Sequence, residues 1–303
     1  MPVAGLICRS CGVTTEVSGR HWAGECDDPT VHPGIVQAGI DDLSHAELAL
    51  TPTTVLGKVR DEFIKRTMPI WPTGQSLNAT TVGQIVGRAI EAAMKPPWRK
   101  QIKLRGEFWG EPFTGTADLA LLDDGLEMFS LWDDKFGSER AFLRQVGSGY
   151  LAKPEHRAQI SMYLEMEPED RELAPLWVKL RDKAELRVWY GSMLPPQDYK
   201  TKKPQDSWLF ARAPRMSVEE IAALRPIGGQ TTTEENTHLL APAFRRVKGG
   251  EDPRVVARDV PMECKTSFGG MGCQWYCASV LTCYAEAGID VRTIGLVDLR
   301  GTP

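Results

Sequence analysis

Three short runs in this 303-residue chain carry side chains that together suit phosphate chemistry: Gly115-Thr116-Ala117-Asp118, Asp133-Asp134-Lys135 and Gln159-Ile160-Ser161-Met162-Tyr163. In order they supply a carboxylate, a carboxylate with a lysine, and a glutamine–tyrosine pair. Magnesium and manganese prefer oxygen ligands and keep several waters. Asp118 and Asp133 can each give such an oxygen, and the backbone carbonyl of Asp134 can give another. A metal-bound water loses its proton readily and can attack phosphorus. Lys135 beside that water would orient it, favour hydroxide and stabilise charge developing on the phosphate. The side chain of Asp134 should point to the opposite face and receives no catalytic role. The chemistry expected is metal-dependent hydrolysis of a phosphodiester.

Two strands and a helix must position these groups. Phe113 to Leu122 and Leu126 to Phe136 are apolar, β-branched runs flanking Asp123-Asp124-Gly125, and an Asp-Gly pair is a strong hairpin signal. A two-residue Asp124-Gly125 turn would pair Asp123 with Leu126 and Asp118 with Leu131. Leu131, Asp133 and Lys135 then share a face, and Asp118 joins them, diagonal to Asp133. A turn one residue longer would flip that register. The stretch from Glu155 to Glu165 has helical composition, so Gln159 and Tyr163, four apart, lie on one face, with His156 near it. Each string alone is common on ordinary strands and amphipathic helices, and their joint occurrence is what carries the reading. The stretch from Thr80 to Met94 reads as a further helix with a broad apolar face, ended by Pro96-Pro97.

The set resembles the PD-(D/E)xK nuclease superfamily, and within it the RecB-like exonucleases, including CRISPR-associated and phage-encoded enzymes that carry an iron–sulfur cluster. Gly115–Asp118 is similar to that family's second motif, Asp133-x-Lys135 to its third, and Gln159-x-x-x-Tyr163 to its helical DNA-contact motif. Gly87-Arg88-Ala89-Ile90-Glu91 is similar to a Gly-x-x-x-His/Glu context on an earlier helix. The resemblance thereby implies a metal role for Glu91, which on its own reads equally as a solvated helix glutamate. It implies a DNA exonuclease using Mg²⁺ or Mn²⁺ held by Glu91, Asp118 and Asp133. It also implies work in phage or mobile-element DNA recombination, replication or processing, alongside proteins of those pathways. A structure-selective or nicking endonuclease would share every catalytic residue. A non-catalytic DNA-binding adaptor would keep the fold and need no metal.

The cysteines form two groups. Cys264, Cys273, Cys277 and Cys283 fall in one C-terminal stretch, and four thiolates suit tetrahedral zinc or a [4Fe–4S] cluster. The related nucleases keep three C-terminal cysteines with similar spacing, so the resemblance implies the cluster. Three residues rather than two separate Cys273 from Cys277. The family's fourth cysteine usually lies upstream, and Cys264 is the substitute here. A disulfide would clash with a nuclease acting on intracellular DNA. Near the N-terminus, Cys8-Arg9-Ser10-Cys11 resembles a zinc knuckle, with Cys26 as third ligand and His32 or His21 as fourth.

The apolar fraction of 42% is enough for a packed core, and a formal charge of −4 offers no global attraction to DNA. Local patches would have to meet it. Lys95, Arg99, Lys100, Lys103 and Arg105, interleaved with Trp98, form one candidate. Arg245, Arg246 and Lys248 form a second that reads better as a solvated segment. No run reaches membrane-spanning length and no signal-peptide pattern opens the chain, so a cytoplasmic protein is expected, in the host cytoplasm if phage-encoded.

The fold expected is α/β: a mixed central β-sheet flanked by helices, a restriction-endonuclease-like core with a cysteine-clasped C-terminal segment. Residues 1–45 read as a loop-rich segment, 46–227 as the nuclease core, 228–262 as a mobile linker and 263–303 as the four-cysteine segment. Within the core, Thr53 to Thr67 reads as one helix, Leu176–Lys179 and Ala184–Tyr190 as strands, and Ser217 to Leu224 as a helix opened by a capping box with Glu220.

Overall fold

A computed structural model describes residues 6–7, 14–15, 48–68, 83, 85–90, 92–137, 150–192, 208–226, 229–261, 279 and 282–283. Strands β1 (Leu6–Ile7) and β2 (Thr14–Thr15) form a small antiparallel pair. The main sheet is built from β3 (Trp98–Phe108), β4 (Glu111–Asp123), β5 (Met128–Gly137), β6 (Glu167–Pro168), β7 (Glu185–Ser192) and β8 (Trp208–Arg212). Its order is β6-β3-β4-β5-β7-β8. Every pairing is antiparallel except β5 with β7, which run parallel. Parallel neighbours need a crossover. Here it contains two helices, Pro154–Glu165 and Ala174–Leu180. The fold is therefore α/β with a mixed six-stranded sheet.

Helices α1 (Pro52–Val55) and α2 (Val59–Thr67) precede the sheet. They replace the single helix expected over Thr53–Thr67, because the chain turns between Leu56 and Lys58. The stripe read from the sequence is nonetheless the buried one: Val55, Leu56, Val59, Phe63 and Ile64 all lie in the core. The crossover helices are α3 (Pro154–Glu165) and α4 (Ala174–Leu180). α3 opens on Pro154, whose fixed φ suits the first helical position. From Ala158 through Leu164 every residue of α3 is buried, as expected of a helix enclosed on all sides.

α4 corrects the strand expected at Leu176–Lys179. Pro175 starts the helix, and the residues that reach the core are Trp177 and Leu180, spaced for a helix rather than a strand. Trp177 is fully buried, meets Phe129 at 4.6 Å between ring centroids, and donates from Nε1 to the Leu164 carbonyl at 3.2 Å. Trp177→Ala should lower unfolding free energy by about 3–5 kcal/mol in urea titration, because it empties a ring-sized site and orphans a buried carbonyl.

The segment 228–262, expected to be a mobile linker, instead carries two helices packed on the core. α5 (Val218–Ala223) precedes them, with Ser217 and Glu220 forming the expected capping box. α6 (Thr233–Lys248) begins with a second capping box, Thr232 with Glu235, and α7 (Pro253–Asp259) is capped by Asp252. Asn236 donates to the Val55 carbonyl at 2.8 Å, and Phe244 stacks on Phe63 at 6.1 Å. The buried Arg60 donates to the carbonyls of Ala257 and Val260 at 2.8 and 3.0 Å. These contacts bind α6 and α7 to α1 and α2. The Thr- and Pro-rich composition concealed caps: Thr232 and Pro253 start helices, and Pro242 is accommodated inside α6. Cys283 is buried, and Ser279, four residues earlier, donates to the Asp61 carbonyl at 3.4 Å. Part of the C-terminal cysteine-bearing stretch therefore sits against α2. No helix among the described residues is long and apolar enough to cross a membrane.

Candidate active site

The site lies where β4 and β5 face α3. The hairpin register differs from the two-residue turn. Asp123 pairs with Met128, and Ala120 with Leu131. Leu126 N–H donates to Asp123 Oδ1 at 3.0 Å, and Glu127 takes φ of 48°, so Asp124 to Glu127 form a four-residue connection. The shift is two residues, an even number, so side chains keep the faces assigned to them. The pairing ends at Leu119↔Trp132, so Asp118 and Asp133 are the next residues along the two strands.

Strand β4 loses its simple buried–open alternation here: Ala117, Leu119 and Ala120 are all buried, on either side of the half-buried Asp118. Gln101, between two residues paired to Ala117 and Leu119, has φ of 48°.

Asp133 is 2% exposed, with Oδ2 at 2.6 Å from Lys135 Nζ. Gln159 Nε2 donates to Asp133 Oδ1 at 3.3 Å and to the Tyr163 hydroxyl at 2.9 Å. Asp118 Oδ2 accepts from the backbone N–H of Asp134 at 2.9 Å. Burial pushes the Asp133 carboxyl up to about 6. The Asp118 charge adds to the rise, and Lys135 opposes both. Burial works against the Lys135 ammonium, but Asp133 and Asp118 outweigh it and hold the group charged well above its ordinary range. Burial, then Asp133, pushes the Tyr163 phenol up to about 12, so it stays protonated. The three motifs thus share one electrostatic unit: two carboxylates, one ammonium, one amide and one phenol.

Gly115 belongs to this unit for a reason the sequence did not disclose. A Cβ there would fall 2.8 Å from Cε1 of Tyr163. Only a residue without a side chain lets the ring lie on β4. Gly115→Ala should push Tyr163 and its Gln159 partner off Asp133, destabilising the fold by about 1–3 kcal/mol in a denaturant titration.

Two further groups escaped assignment. Tyr190 on β7 is the register partner of Lys135. Its hydroxyl lies 2.6 Å from His156 Nδ1 and accepts from the backbone N–H of Lys153 at 3.2 Å. The parallel pairing of β5 with β7 brings Tyr190 here, and no local pattern announces it.

The other expected residues stand as follows. Glu91, Cys8, Cys11, Cys26, His32, His21, Cys264, Cys273 and Cys277 lie outside the described residues. Residues 85–90 are helical, as expected, and Gly83 and Gly87 approach Phe136. Among the described residues no group of three or more His, Cys, Asp or Glu side chains could hold a metal ion; of the three carboxylates expected to do so, Asp118 and Asp133 are described. That pair would suit a hard cation: burial, more than the Asp118 charge, disfavours the ionised Asp133 carboxylate beyond what Lys135 offsets, and a bound cation would favour it. Arg99, Lys100, Lys103 and Arg105 are exposed along β3, where Arg105 is paired with Glu169. Arg245 is paired with Glu111, and Arg246 with Glu251 and Asp259 at 2.6 and 2.7 Å. The second basic patch is thus largely neutralised by carboxylates, as its solvated reading expects.

No family model matches the chain, and no curated protein matches it. Among solved structures, the crystal structure of SSO0001 is 12% identical, with 71% of this chain and 84% of that one covered at a TM-score of 0.37. A likeness at that level carries no argument about fold or function.

Proposed function

We propose that this chain is a Mg²⁺- or Mn²⁺-dependent deoxyribonuclease with a restriction-endonuclease-like core, acting as a RecB-like exonuclease on DNA. The observation that carries the reading is the Gln159 amide. It reaches from α3 to Asp133 on β5 while holding Tyr163, and Lys135 closes on the same carboxylate. The Asp133-x-Lys135 and Gln159-x-x-x-Tyr163 motifs thus meet, and Asp118 joins them through the Asp134 N–H, a grouping that supports phosphodiester hydrolysis.

Asp118 and Asp133 would hold the cation, with Glu91 as the proposed third ligand. Such a cation supplies Lewis acidity and a water of lowered pKa. Gln159 fixes one oxygen of Asp133 and so sets the direction of the carboxylate. Lys135, kept charged by its two acidic neighbours, is placed to orient the attacking water and stabilise charge on the phosphate. Tyr163 accepts from Gln159 and retains its own proton for a phosphate oxygen. Arg99, Lys100 and Lys103 offer exposed cations to the DNA backbone. Cys264, Cys273, Cys277 and Cys283 are proposed to hold a structural [4Fe–4S] cluster, with zinc as the alternative. Cys8, Cys11, Cys26 and His32 are proposed to hold zinc.

End-labelled linear DNA and covalently closed circular DNA, each incubated with manganese, test the mode of action. Release of labelled nucleotides from linear DNA with the circle untouched supports the exonuclease. Nicking of the circle would favour the endonuclease, and DNA binding without cleavage, whether or not the cation is present, would favour the adaptor.

A further inference from the structure

We propose that the face of β5, β7 and β8 opposite the candidate site is a stacking platform for single-stranded DNA, with Phe210 as the base-contacting ring and Arg212 as a phosphate contact. The proposal rests on the nuclease reading for the choice of DNA as occupant. Its geometry stands on the sheet.

The strand registers define that face. Trp132, Arg187 and Arg212 form one row across the three strands, and Asp134, Trp189 and Phe210 form another. The row between them, Asp133, Val188 and Ala211, is buried on the side of α3. Side chains alternate along a strand, so the first two rows project from the opposite side. Gly83 and Gly87 approach Phe136, which shares that side at the end of β5, so the platform lies toward β8.

The rings there touch in sequence. Trp132 meets Phe210 edge-on at 5.2 Å between centroids, and Phe210 stacks on Trp189 at 5.7 Å and 12°. Phe210 is 50% exposed, whereas both tryptophans are half-buried. The tryptophans thus fix the orientation of a ring that is half open to solvent.

A single exposed apolar side chain signifies little, but cations flank this one. The Arg187 guanidinium lies 6.0 Å from the Trp132 ring centroid and pairs with Glu185 at 2.7 Å. Arg212, directly across from Arg187, is exposed. Both arginines, with Glu185 and Arg215, line a hollow of about 470 Å³ at this end of the sheet. Arg215 is paired with Glu165 and Asp182, so Arg212 is the cation expected to meet a phosphate. Rings that stack on bases of any sequence, beside cations that track the backbone, are what single-strand binding uses. The catalytic carboxylates lie on the other side of the sheet, so the platform holds a stretch of strand other than the one being cut.

Full-length Phe210→Ala, Phe210→Leu, Phe210→Tyr and Arg212→Gln proteins test this beside the wild type. Affinity for fluorescent oligothymidylate, and for a blunt duplex of the same length, is read by anisotropy with calcium. Thermal melts follow folding, sedimentation gives the oligomeric state, and cleavage is read with manganese. Phe210→Ala and Phe210→Leu should bind the single strand about tenfold more weakly, as loss of one stacked base predicts, with duplex affinity little changed. Phe210→Tyr keeps the π-face and should bind as wild type. Arg212→Gln should flatten the slope of log affinity against log salt by about 0.7 on the single strand. A Phe210→Leu protein that binds as wild type overturns the proposal, because it keeps the apolar area without the π-face. So does a wild type with no affinity for the single strand, or an equal loss on strand and duplex. A dimeric wild type whose Phe210→Ala variant is monomeric with single-strand affinity intact would assign the face to a second copy and overturn the platform. Cleavage by the wild type beside variants of unaltered affinity would refute only the platform. A wild type that binds single strands through Phe210 and never cleaves would refute the nuclease reading and keep the platform.

Discussion

Asp118→Ala and Asp133→Ala should each reduce manganese-dependent DNA cleavage by roughly 10³-fold, as removal of a group that places charge at the reacting phosphate does. The two should part company in stability. Asp133 is buried against Lys135 at 2.6 Å, so removing it leaves an ammonium without its main partner. Breaking a buried pair costs about 3–5 kcal/mol; the Lys135 side chain is 25% exposed, so about 2 kcal/mol is the expectation. Asp118 is only half-buried and works against Asp133. Removing it relieves that repulsion, while the Asp134 N–H it leaves can turn to water. Asp118→Ala should therefore melt near wild type and Asp133→Ala clearly below it, with both inactive. Thermal melts beside cleavage assays on the same preparations check this. An Asp118→Ala protein that cleaves at the wild-type rate would remove the site assignment.

Lys135→Ala should also disable cleavage, by roughly 10²–10³-fold, while leaving both carboxylates able to bind a cation. Its signature is a shift in pH dependence. In the cation-free fold Asp133 titrates near 6 because burial and Asp118 outweigh Lys135. Its folded pKa is above the ordinary carboxylate value. Protonation therefore favours the fold, and that contribution is withdrawn as pH rises from the ordinary carboxylate range through about 6. Cation affinity runs the other way, because a protonated carboxyl does not coordinate, so manganese binding should weaken as pH falls through about 6. Lys135→Ala removes the one group opposing the upward shift and should move this loss of affinity to higher pH. Manganese titrations across the range read the displacement directly.

Much of the site was legible because its residues repeat with the period of the element that carries them. Gln159 and Tyr163 are four apart and hydrogen-bond to each other on α3. The hairpin argument survived a wrong turn, since a connection two residues longer preserves every face. What local pattern could not supply came from distant packing. Gly115 is fixed by a ring from α3, and Tyr190 arrives through a parallel pairing. The run Leu176–Lys179 has strand-like composition, yet Pro175 and the burial of Trp177 and Leu180 make it helical. Segment 228–262 looked like a linker because threonine and proline dominate its ends. Those residues cap and start α6 and α7, whose apolar positions Leu240, Ala241, Ala243 and Phe244 close over α1 and α2.

The central claim is that Asp118, Asp133 and Lys135 form a cation-dependent phosphodiester-cleaving site. The most direct measurement treats the purified chain with chelator, removes the chelator, and follows labelled DNA before and after manganese is added, with Asp118→Asn in parallel. The account predicts no cleavage before manganese, prompt cleavage after it by the wild type, and none by the variant. Cleavage that needs no cation, equal cleavage by Asp118→Asn, or a wild type that stays inert with manganese would contradict it.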